Sequence, residues 1–240
     1  MKRLEGRIAL ITGASRGFGA ASAHALAAEG AHVVLIARTV GGLEETDDAV
    51  RAAGGAATLV PLDLTDYAAL DRLGAALHDR FKKLDGLVCS AAALGTLSPL
   101  GHADPKEWDA TMAVNATAHW RLLRSMDPLL RASDAGRAVF VTDSVATQAR
   151  AYWSAYAVSK AALETLGRLY AAETERTSLR VNLFDPGPMR TALRAHAFPG
   201  EDPALVPAPD AAARRMVDLL LPSCALHGQR VEAQQRGAAA

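Results

Sequence analysis

Ile8-Ala9-Leu10-Ile11-Thr12-Gly13-Ala14-Ser15-Arg16-Gly17-Phe18-Gly19 joins an apolar, strand-like run to a glycine-rich turn, and an alanine-rich helical pattern follows. Glycines at such a junction permit a tight turn. They also let backbone N–H groups approach an anion, such as a pyrophosphate, at the positive end of the helix. Taken alone, the turn is equally a tight strand–helix connection, and its glycines at 13, 17 and 19 depart from the G-x-G-x-x-G dinucleotide fingerprint. Its place between the first strand and first helix of an alternating chain favours dinucleotide binding.

Outward from this turn, short β-branched runs alternate with long helical segments. The pattern predicts strands over 8–12, 32–37, 57–61, 86–90, 138–142 and 180–184, with a last short one over 229–232. Runs apolar throughout, such as Val33-Val34-Leu35-Ile36, suit strands covered on both faces, as in parallel sheets. Helices are predicted over 19–29, 42–53, 66–81, 105–131, 155–177 and 209–221, with Thr65 before Asp66 and Asp104 before Pro105 as start signals. Such alternation builds right-handed βαβ units. It predicts an α/β fold, Rossmann-like and doubly wound, with a mostly parallel sheet of about seven strands and helices on both faces. No internal repeat or linker divides the chain, so residues 1–240 are expected to form one domain. Residues 190–209 carry several prolines and little periodicity and read as a loop or substrate lid; 234–240 read as a frayed tail.

Composition narrows the class. Lysine plus arginine balances aspartate plus glutamate, 26 each, so no overall field recruits nucleic acid or an anionic membrane. No apolar run reaches the roughly 18 residues of a membrane span, and the N-terminus lacks a signal-peptide core, which points to a cytoplasmic protein. Cys89 and Cys224 stand far apart in no metal-ligand spacing, so no metal is expected, and Cys89 reads as a small buried hydrophobe.

Thr12-Gly13-x-x-x-Gly17-x-Gly19 resembles the T-G-x-x-x-G-x-G turn of the short-chain dehydrogenase/reductase family, and the likeness extends over nearly the whole chain. The turn residues Gly13, Ser15, Arg16, Gly17, Phe18 and Gly19 then become cofactor-binding candidates. At the end of the second strand an acid would bind an adenosine 2′-hydroxyl, whereas an arginine accommodates a 2′-phosphate. The chain has Arg38 there, no carboxylate until Glu44, and a second cation in Arg16, which favours NADP(H) over NAD(H). By resemblance, Asp63-Leu64 holds the adenine ring, although Asp63 equally suits the start of the turn into the next helix. The same resemblance puts Ser90 and Ala91, at the fourth strand's end, beside the cofactor, Pro186 and Gly187 beside the nicotinamide, and the Thr191 hydroxyl on the cofactor's phosphate or carboxamide.

The reacting centre is read at Ser144, Tyr156 and Lys160. Tyr156 and Lys160 lie four apart in a helical stretch and so share a face. Reducing a carbonyl by hydride leaves an alkoxide that needs a proton, and the reverse needs a base. A tyrosine hydroxyl serves both, once a neighbouring ammonium lowers its ordinary pKa of about 10. Ser144 is the donor expected to polarise the carbonyl. The resemblance implies that Lys160 also bonds the nicotinamide ribose and that Asn115 holds a water linking the lysine to solvent. It further implies a small-molecule carbonyl or alcohol substrate and a homodimer or homotetramer paired through the helices over 105–131 and 155–177.

Three departures from the family pattern stand out. Cys89-Ser90-Ala91-Ala92 replaces Asn-Asn-Ala-Gly, which removes an amide that ties strands together and adds a methyl beside the cofactor. Asp143 replaces a small residue, and if the strand reaches that far, alternation points it away from Ser144. Asp185 stands where asparagine is usual before Pro186. Tyr-x-x-x-Lys spacing argues against most enoyl reductases, and the short region after Gly187 argues against sugar-nucleotide epimerases. A non-catalytic NADP sensor or scaffold is the alternative from another class, because fold alone does not dictate function. His119 reads as a satisfied structural histidine, while Arg190, Arg194 and His196 give the lid a basic cast.

Overall fold

The computed structural model describes residues 2–233, so the predicted tail at 234–240 lies outside the described residues. Seven strands form one parallel sheet: β1 (Ile8–Thr12), β2 (His32–Ala37), β3 (Ala56–Pro61), β4 (Gly86–Cys89), β5 (Arg137–Val141), β6 (Arg180–Asp185) and β7 (Arg230–Glu232). Their order across the sheet is β3-β2-β1-β4-β5-β6-β7. The chain thus winds outward from β1 in one direction and, after crossing over, from β4 in the other. Crevices at such reversals, outside the carboxyl ends of the strands, are where open α/β sheets bind ligands.

The apolar runs are explained by what covers them. On β2, Val33 and Leu35 face one core with Leu26 of α1 (Gly17–Ala28), Leu43 of α2 (Val40–Ala52) and Met216 of α8 (Asp210–Val217). Val34 and Ile36 face the opposite core. They pack there with Leu70 of α3 (Tyr67–Phe81), Leu122 of α5 (Ala118–Arg131) and Leu163 of α6 (Ser154–Thr174). Each of these strand residues is fully buried, contributing about 1.5–3 kcal/mol apiece.

Most predicted boundaries move by one or two residues. Asp104 caps α4 (Pro105–Met112) as expected, accepting from the Lys106 and Glu107 amides. The cap of α3 is Asp66, which accepts from the Ala69 amide, while the Thr65 hydroxyl donates to Asp63 instead. The long helix predicted over 105–131 is broken by a π turn, Ala113–Thr117, between α4 and α5. The segment over 190–209 is more ordered than predicted, for it contains α7 (Ala192–Ala197) and a 3₁₀ turn, Pro203–Leu205.

At the end of the sheet away from the crevice, buried Asp85 accepts from Ser133 Oγ (2.6 Å), Lys83 Nζ (2.9 Å), Arg7 Nη1 (2.9 Å) and the Ile8 amide (3.0 Å). Burial alone would raise its carboxyl pKa, but these donors outweigh burial and hold it below the ordinary value. A depressed carboxylate stabilises the fold above its unfolded pKa of about 4, and that contribution disappears as pH falls through the folded value. Unfolding free energy is therefore expected to fall steeply below about pH 4, and Asp85→Asn to flatten that dependence in urea titrations.

Candidate active site

A cleft of about 1450 Å³ opens at the carboxyl ends of the strands. One end is floored by the turn between β1 and α1. Gly13 and Gly17 hold φ of +67° and +58°, a left-handed conformation that glycine adopts without strain. A Cβ on Gly19 would fall 2.2 Å from the Gly13 carbonyl oxygen. Only bare backbone fits, and the first residues of α1, Gly17, Phe18 and Gly19, line the cleft. Ser15, Arg16, Phe18, Arg38, Asp63 and Leu64 line the same end. Arg16 and Arg38 are exposed, and Arg38 stands 3.8 Å from Asp63. Asp63 Oδ1 also accepts from the Thr65 amide and hydroxyl, which with Arg38 hold its pKa low. It therefore both starts the turn and borders the cleft.

Ser90, Ala91, Pro186, Gly187 and Thr191 continue the lining toward the other end. The amide tie absent after β4 is replaced from β1: Thr12 Oγ1 accepts from the Ser90 (2.9 Å) and Ala91 (3.0 Å) amides. His119 supports this hydroxyl. Its Nδ1 lies 3.1 Å from the Asn115 carbonyl and its Nε2 3.3 Å from Thr12 Oγ1. Burial pushes its pKa down to about 4; the neutral ring donates through Nδ1 and accepts through Nε2. Outside glycine, only Lys82 and Tyr152 among the described residues have positive φ, so Ala92 carries its methyl without backbone strain.

Tyr156 and Lys160 share the cleft-facing side of α6 and are both buried. Lys160 Nζ donates to the Val141 carbonyl at 2.9 Å, and burial lowers its pKa to about 8. The Tyr156 hydroxyl is pushed up, first by burial and then by Asp143, contrary to the lowering expected from Lys160. The reason is distance and orientation, because Nζ lies 5.8 Å from the Tyr156 ring centroid and bonds the backbone instead.

The strand does not reach Asp143, so alternation does not govern its side chain. Strand β5 ends at Val141, so Asp143 caps the 3₁₀ turn Ser144–Ala146, accepting from the Val145 amide at 3.1 Å. Its carboxylate faces inward, 3.3 Å from the Ser144 hydroxyl through Oδ1 and 3.3 Å from the Tyr156 hydroxyl through Oδ2. Ser144 lines the cleft, but its hydroxyl donates to Asp143. Asn115 does not border the cleft. Its buried side chain accepts from the Ala93 amide (2.7 Å) and donates to the Ala93 carbonyl (2.8 Å) and Ser159 Oγ (2.9 Å), clasping the loop after β4 to α6.

Sequence reasoning missed a buried ionic brace behind the site. Arg230 on β7 bonds Asp185 Oδ2 (2.6 Å), Glu164 Oε1 (3.0 Å) and Glu232. Glu164, one turn beyond Lys160, also accepts from Thr142 Oγ1 (2.7 Å), and Asp185 Oδ1 accepts from the Gly187 amide (2.9 Å). The lid is less basic than its composition. Arg194 pairs with Glu201 (2.6 Å), and the Arg150 guanidinium lies 5.0 Å from the ring centroids of Trp153 and Phe198.

A protein-family model for the short chain dehydrogenases matches residues 7–202. The chain belongs to this family. A short chain dehydrogenase relative, the uncharacterized oxidoreductase YciK of Escherichia coli (strain K12), is 38% identical over 209 residues, covering 86% of this chain and 82% of the relative. The 2,3-dihydro-2,3-dihydroxybenzoate dehydrogenase of Bacillus subtilis (strain 168) is 33% identical over 205 residues, covering 85% and 77%. Among solved structures, a putative short chain dehydrogenase from Shigella flexneri 2a str. 301, complexed with NADP, superposes with a TM-score of 0.93 at 35% identity. That match covers 98% of this chain and 99% of the other. Among the described residues, no helix is long and apolar enough to cross a membrane.

Proposed function

We propose that this short chain dehydrogenase interconverts a carbonyl and an alcohol using NADP(H), with Tyr156 as acid–base residue and Lys160 and Ser144 beside it. The observation that carries this reading is one cleft joining the glycine turn and Arg16 and Arg38 at one end to Tyr156, Lys160 and Ser144 at the other. The cradle suits the cofactor: bare backbone at Gly19 lets the turn close on the Gly13 carbonyl, which brings the N-terminus of α1 to the cleft, where its positive end favours a diphosphate. Arg16 and Arg38 would take the 2′-phosphate, and the relative complexed with NADP supports that choice. NADPH, when bound, supplies the hydride.

The protein's own part is proton handling and orientation. A phenol pKa raised by burial and Asp143 keeps Tyr156 protonated, the form that gives a proton to a new alkoxide. Lys160, buried beside Tyr156, adds positive charge at the reacting end of the cleft. His119 is given a structural role. The exposed Trp120 of α5 and Val158 and Leu169 of α6 support pairing of copies through these helices, and size-exclusion chromatography at two concentrations reads the oligomeric state.

The test of the cofactor assignment is titration of NADPH and NADH by protein fluorescence. NADPH is expected to bind at least tenfold tighter, a gap of about 1.4 kcal/mol. Arg38→Asp should narrow or reverse the gap by removing a cation and adding repulsion toward the 2′-phosphate. Equal wild-type affinities would exclude the NADP reading.

A further inference from the structure

We propose that Asp143 selects substrates with a hydroxyl on the carbon next to the reacting one, namely α-hydroxy ketones and the vicinal diols they become. The inference rests on the carbonyl–alcohol reading above and names the substrate class of that site. A ketone oxygen only accepts hydrogen bonds, and so does a carboxylate. Both hydroxyl donors near the reacting position, those of Tyr156 and Ser144, are turned toward Asp143 at 3.3 Å. These contacts are longer than the usual 2.7–2.8 Å of an O–H···O bond, so a better-placed partner displaces them.

A plain ketone that draws Tyr156 away leaves Asp143 Oδ2 without that donor, beside a wall formed by Leu94, Val145 and Trp153. An adjacent substrate hydroxyl repairs the loss. It donates to Asp143 as Tyr156 and Ser144 turn to the carbonyl, so every polar group is satisfied. The reaction itself stays balanced: hydride adds to carbon, the Tyr156 proton goes to oxygen, and the adjacent hydroxyl is unchanged. A hydroxyl fits better than an ammonium, because Lys160 and Arg150 already line the same cleft.

The test uses the full protein with NADPH and two ketones of like electronic character, α-hydroxyacetophenone and α-methoxyacetophenone. Only the first donates a hydrogen bond. In the wild type, kcat/KM is expected to favour the hydroxy ketone by at least about tenfold. In Asp143→Ser that ratio should shrink to within about threefold, chiefly through loss on the hydroxy ketone, with NADPH affinity retained. Asp143→Ala serves the same purpose if the serine variant fails to fold. Calorimetry on the NADPH-loaded wild type gives a reading free of turnover, in which the phenyl-substituted vicinal diol should bind tighter than its methyl ether. A wild-type ratio near one, or a ratio that survives both substitutions, overturns the role of Asp143 while leaving carbonyl reduction intact. A protein that binds NADPH but reduces neither ketone, nor any of a broad carbonyl panel, overturns both readings.

Discussion

Tyr156→Phe lowers turnover of any accepted carbonyl by a factor of roughly 10² or more while leaving fold and NADPH affinity nearly unchanged. The substitution removes one hydroxyl from a buried ring that packs on Trp153, with centroids 5.7 Å apart, so the wall of the cleft survives. What is lost is the proton donor. The hydroxyl's one hydrogen bond to Asp143 is long, so stability changes little. Lys160→Ala should differ in kind, weakening NADPH binding as well as turnover. Ser144→Ala should reduce turnover and spare the cofactor. Cofactor titration beside steady-state rates for the three variants separates these roles. Near-normal reduction by Tyr156→Phe would remove the tyrosine from proton transfer.

Arg230→Ala is expected to reduce unfolding free energy by about 3–5 kcal/mol, because it leaves buried Asp185 without a cation, whereas Glu164 keeps Arg168 at 2.9 Å. The Asp185 and Glu164 side chains are 7% and 5% exposed, and Arg230 bonds both. Burial already raises the Asp185 pKa, with Arg230 opposing that rise. Without the guanidinium, Asp185 is expected to take up a proton or admit water, and the Gly187 turn that it holds through Oδ1 loosens. Urea unfolding measures the loss. Arg230→Lys should recover only part of it, since an ammonium lacks the fork that reaches several carboxylates. A change below about 1 kcal/mol in Arg230→Ala would mean that the brace contributes little beyond an exposed ion pair.

Much of this molecule follows from local pattern. The apolar run Val33-Val34-Leu35-Ile36 predicts a strand buried on both faces, and two separate cores cover it. Glycines at 13, 17 and 19 predict a turn that only bare backbone fits, as the Gly19 contact shows. Tyr156 and Lys160 share a face because helical periodicity alone places residues four apart together. These features depend on a few neighbouring residues, so sequence spacing determines them.

The rest depends on where distant segments meet. The helix predicted over 105–131 contains a π turn whose Asn115 answers to Ala93 and Ser159, partners chosen by the packing of the loop after β4 and of α6. Thr12 and His119 replace the missing amide of the fourth strand across 107 residues of chain. Arg230 gathers carboxylates from α6, β6 and β7. Asp143 is the most consequential case. Alternation would turn it from Ser144, but the strand stops two residues earlier and the carboxylate swings toward Tyr156. Period and propensity act between neighbours in the chain, whereas burial and hydrogen-bond satisfaction act between neighbours in space, and only the folded chain determines which those are.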